Sequence, residues 1–250
     1  MTHARINLQD VHPLKIPPRL CFIVSRSLNV LRVDKVDILL LHDPTFEELR
    51  DFLAPGGGID ALERLKREGC IDHIGLGCLE HENHSAVLED GRFEVILTVN
   101  DCNLVRRYVL ENIYPTAQSQ DVGIVNAGIF YMGLLGGLRP EVSYSMGFKK
   151  DIQKPELVRL ATDIYDFCEE RGTSIRKAAL EFSLTKFPGV STVPVGCRTA
   201  EEVHGLVDTY EAPKLDARFW SDFDARFEER VMTFDASEHW FYSKTDSRVL

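Results

Sequence analysis

Short apolar runs alternate with stretches of helical periodicity along most of the chain, the pattern of a parallel sheet covered by helices. Five runs predict strands: Val36 to His42, His73 to Cys78, Glu94 to Val99, Gly123 to Ile129 and Ser191 to Gly196. Each is apolar through most of its length, as strands buried on both faces are, and none reads as half-solvated. Between the first two, Ile59, Leu62 and Leu65 share one face of a short helix that Gly69 ends. Pro155 opens a second helix, in which Leu157, Leu160, Ala161, Ile164 and Phe167 recur at helical spacing until Gly172. A third runs from Ser174 to Lys186 and breaks before Pro188. Thr199 with Glu202 three residues on has the form of a capping box at a helix start. Asp216 to Val231 makes one more helix, and its Phe219, Phe223 and Phe227 are expected to pack against the body of the fold.

Five β/α units do not close an eight-stranded barrel. Each unit takes about 30 residues, so three more would need roughly 90, and only 35 precede Val36. Those contain His12-Pro13 and Pro17-Pro18, which punctuate secondary structure, and a helix-like stretch from Phe22 to Leu31. The N-terminal part of such a barrel is therefore expected to be missing. The segment from Thr233 mixes polar and aromatic residues without a placeable pattern.

Composition narrows the classes without choosing a chemistry. The 250 residues, 44% hydrophobic and 27% charged, suit one globular domain over 1–250. A net charge of −10 argues against nucleic acid as a partner, because phosphate neutralisation needs a basic face. It does not argue against an anionic cofactor, which a few local N–H groups and one or two cations can hold. No apolar run approaches the roughly 20 residues of a membrane span, and the N-terminus lacks a basic region followed by an apolar one, so a cytoplasmic protein is expected. The six cysteines lie far apart without C-x-x-C spacing and read as reduced thiols.

The residues that carry a specific resemblance begin at Ser27-Leu28 and continue through Leu31 to Asp43-Pro44, with the run Val36-Asp37-Ile38-Leu39-Leu40-Leu41-His42 at the centre. Further on stand Ile74-Gly75-Leu76-Gly77, Gly123-Ile124-Val125 with Met132-Gly133-Leu134-Leu135, and Ser191-Thr192-Val193-Pro194-Val195-Gly196 with Glu202-Val203. In order and spacing these resemble the aldo-keto reductases, and within them the aldose (L-galactose-type) dehydrogenase branch, over roughly residues 24 to 210. The resemblance implies a (β/α)8 TIM barrel of that type, with its fourth to eighth strands legible here and its N-terminus incomplete. It also implies NAD or NADP as cofactor, a sugar or other small carbonyl substrate, and hydride transfer between nicotinamide and a carbonyl or alcohol carbon.

By that resemblance His42 is the catalytic histidine that orients the carbonyl oxygen. The family's tyrosine, lysine and aspartate would come from earlier strands, and no Asp-x-x-x-Tyr or strand-ending Thr-Lys pair precedes His42. The pair that holds the nicotinamide carboxamide corresponds to Gly77-Cys78. The stretch Gly128-Ile129-Phe130-Tyr131-Met132-Gly133 and Gly196-Cys197-Arg198 fall where such barrels bind phosphate with backbone N–H groups. Arg198 would meet an adenosine phosphate or stack on adenine, and Glu202 would lie near the adenine. The cofactor-binding set is thus Gly77, Cys78, Gly128, Phe130, Tyr131, Gly133, Gly196, Arg198 and Glu202.

Other features have bland readings. Gly56-Gly57-Gly58 lacks the Lys-Ser/Thr ending of a phosphate-cradling loop and is expected to be a flexible connection. His81 and His84 have helical spacing for metal ligands, but are expected to be polar surface on a hydrated helix start, and no metal is assigned. Asp101 and Cys102 end a strand and are candidates for lining a pocket. Two alternatives to the dehydrogenase stay open. One is a catalytically dead barrel that binds a nucleotide or a protein; the other is a non-redox enzyme drawing on His42, Asp43, Asp101 and Glu80. The unpaired strand edges of an incomplete sheet predict marginal stability or self-association.

Overall fold

The computed structural model describes residues 3–7, 16–145, 155–187 and 189–232. Six strands lie in one sheet in chain order: β1 (His3–Asn7), β2 (Val36–His42), β3 (Ile71–Gly77), β4 (Val95–Val99), β5 (Gly123–Ala127) and β6 (Val190–Thr192). The first four pair in parallel, with Asn7 beside His42, His42 beside Gly77 and Gly77 beside Leu97. The chain forms two compact units, residues 1–98 with 112–125, and 99–111 with 126–250.

The first unit carries α1 (Ile16–Leu31), α2 (Phe46–Leu53), α3 (Gly58–Arg67), α4 (His81–Asp90) and α6 (Tyr114–Ser119). Its central strand β2 buries Val36 and Ile38 through Leu41, and β3 buries Ile74 through Gly77, so the run of consecutive apolar residues is explained by cover on both faces. Gly75 is required by close approach: a Cβ there would stand 2.8 Å from the carbonyl oxygen of Val95. In α3, Ile59, Leu62 and Leu65 are buried as their spacing predicts. Gly57 caps that helix and the Gly56 N–H donates to Asp60 Oδ2 at 2.7 Å, so the three glycines form the turn that leads into α3.

The second unit carries α5 (Val109–Asn112, at its boundary), α7 (Pro140–Ser145), α8 (Pro155–Glu169), α9 (Ile175–Glu181), α10 (Ala200–Glu211) and α11 (Ala217–Met232). The predicted face of α8 is buried, and its Phe167 ring packs edge-on against Phe219, Phe223 and Phe227 of α11 at 5.2, 5.8 and 5.4 Å between centroids. Within α9, Lys177 and Glu181 are buried and 3.4 Å apart. The Lys177 ammonium also donates to the carbonyls of Thr209 and Ala212, and Glu181 accepts from the Leu215 N–H, so the pair ties α9 to the end of α10 and the connection beyond.

Several expectations need correction. The segment before Val36 holds a strand, β1, which propensity hides because only Ala4 and Ile6 among its five residues are apolar. Thus one further barrel strand is present where none was expected. Helix α1 starts at Ile16 and runs through Pro17-Pro18, which is possible because the first turn of a helix has no N–H bonds to lose. Strand β5 alternates buried and half-buried residues and β6 is half-buried to exposed, unlike the doubly covered strands predicted. Positive φ at Gly128 ends β5 early, and Pro194 interrupts the predicted run beyond β6. The tail from Thr233 lies outside the described residues. Among the described residues, no helix is long and apolar enough to cross a membrane.

Candidate active site

In the first unit, the ends of β2 and β3 present His42, Asp43, Gly77 and Cys78 side by side. His42 is partly exposed, and its Nδ1 stands 3.5 Å from the Asp43 carboxylate. The backbone turns sharply after it: Asp43 has φ +44, and its N–H donates to the Gly77 carbonyl at 2.9 Å. The Pro44 carbonyl accepts from Asn83 Nδ2 at 2.7 Å. Thr45 then opens α2 with a complete capping box, its hydroxyl accepting from the Glu48 N–H while the Glu48 carboxylate accepts from the Thr45 N–H.

Cys78 is buried, and burial, followed by the nearby carboxylates of Glu80 and Asp43, pushes its thiol well above the usual range. It is thus a neutral, unreactive group at pH 7. Its sulfur lies 3.8 and 3.9 Å from the ring nitrogens of His84, whose Nε2 is 3.1 Å from the Leu97 carbonyl. His84 and His81 are both buried, 0% and 6% exposed, and so are not the hydrated surface that their sequence context suggested. The helix start they occupy is covered because α4 packs its first turn, including Asn83, onto the strand ends. Glu80 is exposed at the cap of α4.

In the second unit, Gly128 follows β5 with φ +71, and a Cβ there would collide with the Asn100 side chain, so only glycine fits. Phe130 is half-buried and Tyr131 fully buried, with φ +45. Burial first, and then the Asp101 carboxylate, raise the Tyr131 hydroxyl well above its ordinary value against the opposing Arg106 guanidinium. Asp101 and Arg106 form a buried ion pair at 2.5 Å, inside a turn closed by Asn103 Oδ1 accepting from the Val105 and Arg106 N–H groups. Asp101 and Cys102 therefore belong to a packed structural turn, with 4% and 0% exposure, and do not line an open pocket.

Gly133 is exposed with φ +93, and its carbonyl accepts from the Ser143 hydroxyl. Arg176 Nε donates to the Gly136 carbonyl at 2.7 Å and fixes the turn that follows. Gly196 and Arg198 are exposed ahead of α10, and nothing lies within 4 Å of a Cβ built at Gly196. Thr199 caps α10 as expected, with the reciprocal arm of the box reaching back to Arg198. Its hydroxyl accepts from the Glu202 N–H at 3.2 Å, while the Glu202 carboxylate accepts from the Arg198 N–H at 2.7 Å and the Arg198 guanidinium at 3.1 Å. Those bonds, the Arg198 N–H foremost, hold the Glu202 carboxyl below its usual value. A carboxylate here makes the contacts a phosphate oxygen would make.

A family model for the aldo/keto reductase family matches residues 9–227. The chain belongs to the aldo/keto reductase family. It is 26% identical to a D-threo-aldose 1-dehydrogenase of a Pseudomonas species over 80% of its length and 59% of that protein. It is 30% identical to an L-galactose dehydrogenase of Arabidopsis thaliana, over 82% of this chain and 63% of that one. The chain thus spans about three fifths of these relatives. Among solved structures, an aldo-keto reductase of Bacillus halodurans is similar with a TM-score of 0.67 at 22% identity, covering 89% of this chain and 70% of that one. The glycerol dehydrogenase of Gluconobacter oxydans has a TM-score of 0.61 at 22% identity, covering 84% and 64%. The parallel sheet and flanking helices are those of a part of the (β/α)8 barrel.

Within this aldo/keto reductase chain the strand that pairs with β2 ends in Asn7, beside His42 in register, where the resemblance leads one to look for a Thr-Lys pair. Sequence reasoning placed His42 at the end of an apolar strand, which is where it stands, beside Gly77 of β3. It missed Asn83, and a lone asparagine in a short polar helix carries no sequence signal of that contact.

Proposed function

We propose that this chain is an NAD(P)-dependent oxidoreductase that moves a hydride between nicotinamide and the carbonyl or alcohol carbon of a sugar or other small aldehyde. The observation that carries the proposal is His42. It is partly exposed at the end of β2, beside Gly77, in a chain whose aldo/keto reductase match runs over residues 9–227. The named relatives that act on aldoses favour a sugar as substrate. The cofactor supplies the hydride chemistry when bound. His42 then hydrogen-bonds the substrate oxygen, with the Asp43 carboxylate 3.5 Å from its Nδ1. Gly77 and Cys78 would lie along the carboxamide side.

The residues assigned to the phosphate end fit an anion. Gly196 is open, Arg198 is exposed, and Glu202 already models the negative charge that α10 accepts at its N-terminus. Phosphate binding there must displace the Glu202 carboxylate. Gly128 and Gly133 would contribute backbone groups and Phe130 ring surface, while Tyr131, fully buried, offers none.

A second reading, a barrel that binds a nucleotide or a protein without turnover, draws on two tyrosines of the described residues and on the end of β1. The Tyr114 hydroxyl is buried and 2.9 Å from the Thr98 hydroxyl, Tyr131 is fully buried, and β1 ends in an amide residue. The experiment that separates the two is a steady-state assay with NAD or NADP and a panel of aldoses, following reduced nicotinamide. Turnover supports the dehydrogenase. Cofactor binding with no turnover on any aldose or simple aldehyde selects the second reading.

A further inference from the structure

We infer that Asn83 is the positioning residue of His42, its buried amide holding the backbone corner that follows the histidine and so fixing where the imidazole stands. The inference rests on the proposed role of His42, and it concerns a residue on a different element, α4, with no chemistry of its own to contribute.

His42 is the last residue of β2, so the chain beyond it is held by contacts past the end of the strand. The next residue, Asp43, sits at φ +44, in the left-handed region that aspartate enters more readily than most residues but still at a cost. Two contacts hold this corner. The Asp43 N–H donates to the Gly77 carbonyl at 2.9 Å, on the neighbouring strand. Pro44 has no N–H, so its carbonyl is the one backbone group through which it can be held, and that carbonyl takes the Asn83 amide at 2.7 Å. Thr45 is already locked into the capping box of α2. Pro44 is buried and Asn83 is 0% exposed, so water cannot replace the amide if it is removed. The Asn83 side chain also acts on the Cys78 thiol, just beyond β3, easing it down against burial. Without the Asn83 amide, the release of the corner reaches His42 through two covalent links.

The test compares Asn83→Leu, close in shape with no polar atom, with Tyr114→Phe, which removes the buried hydroxyl contact to Thr98 elsewhere in the same unit. Circular dichroism and thermal melts establish that each is folded. The decisive readout is the NMR signature of the His42 imidazole, assigned with His42→Gln, together with hydrogen exchange of the Asp43 amide. Asn83→Leu shifts the His42 ring resonances and speeds Asp43 exchange at least tenfold, while Tyr114→Phe changes neither, even at a matched loss of thermal stability. In an active chain Asn83→Leu also lowers kcat about tenfold with the KM for cofactor unchanged. His42 resonances and Asp43 exchange that remain as in the wild type overturn the inference. Should Asn83→Leu not fold, Asn83→Gln carries the same comparison, since a longer arm displaces the corner while keeping a donor. Failure of turnover in the wild type bears on the proposed function alone, because the NMR comparison stands without it.

Discussion

His42 is the residue on which the proposed chemistry turns. Replacing it with asparagine keeps a hydrogen-bonding side chain but removes the imidazole, and a loss of roughly 100-fold in kcat is expected, the lower range for a positioned acid. Cofactor affinity, measured by fluorescence, stays unchanged. On the opposite end of the strands, Glu94 shows how charge acts on stability. Partial burial works to raise its carboxyl and is overcome by Lys66, by His73 and by the Ile74 N–H, so it titrates below the usual value. A carboxyl lowered in the folded state stabilises above its unfolded pKa, and the contribution is lost as pH falls through the folded one. Glu94→Gln should therefore lower stability at pH 7 by under about 1 kcal/mol, the range for half-exposed pairs. The difference from wild type should vanish in urea melts repeated at acid pH below the carboxylate range. Among single residues, the place of His42 at the end of an apolar strand was legible, and its catalytic reading came from the resemblance alone. The burial of His81, His84 and Asn83 was not, because it depends on where α4 docks and not on α4's own pattern.

At the scale of elements, the helices with apolar stripes were legible nearly to the residue: α3, α8 and α11 bury the predicted faces. Strand β1 was not, since its two apolar residues give no period, and its hydrogen bonds come from an edge that β2 provides. Nor did sequence show that α9 depends on a buried charge pair. Lys177→Met leaves Glu181 buried without its cation, and a loss of about 3–5 kcal/mol is expected. Lys177→Met with Glu181→Leu should recover most of it, as read from urea midpoints of the three chains. If the single variant melts like the wild type, the pair does not anchor α9 to the connection after α10.

The described residues hold six strands in one sheet, with β1 and β6 at its two ends. Edge strands offer unpaired N–H and C=O groups, and around β6 the helix α10 has no buried residue, with Val203, Val207 and Tyr210 about half exposed. This predicts that the purified chain self-associates in a concentration-dependent way, visible by sedimentation velocity, with a thermal midpoint that rises with concentration. A monodisperse monomer with a sharp, concentration-independent melt would show instead that these edges are closed. The count of strands was legible only in part, because the alternation of strands and helices identifies units one by one and says nothing of a short polar strand at an end.

The measurement that bears most directly on the proposed function is a titration of the purified chain with NADH and with NADPH, followed by nicotinamide fluorescence and thermal shift, alongside Arg198→Ala. Saturable binding with a raised melting temperature, weakened in Arg198→Ala most for the cofactor carrying the extra phosphate, is the expected result. No change in fluorescence or melting at millimolar concentrations of either cofactor would contradict the assignment of this chain as a nicotinamide-dependent oxidoreductase.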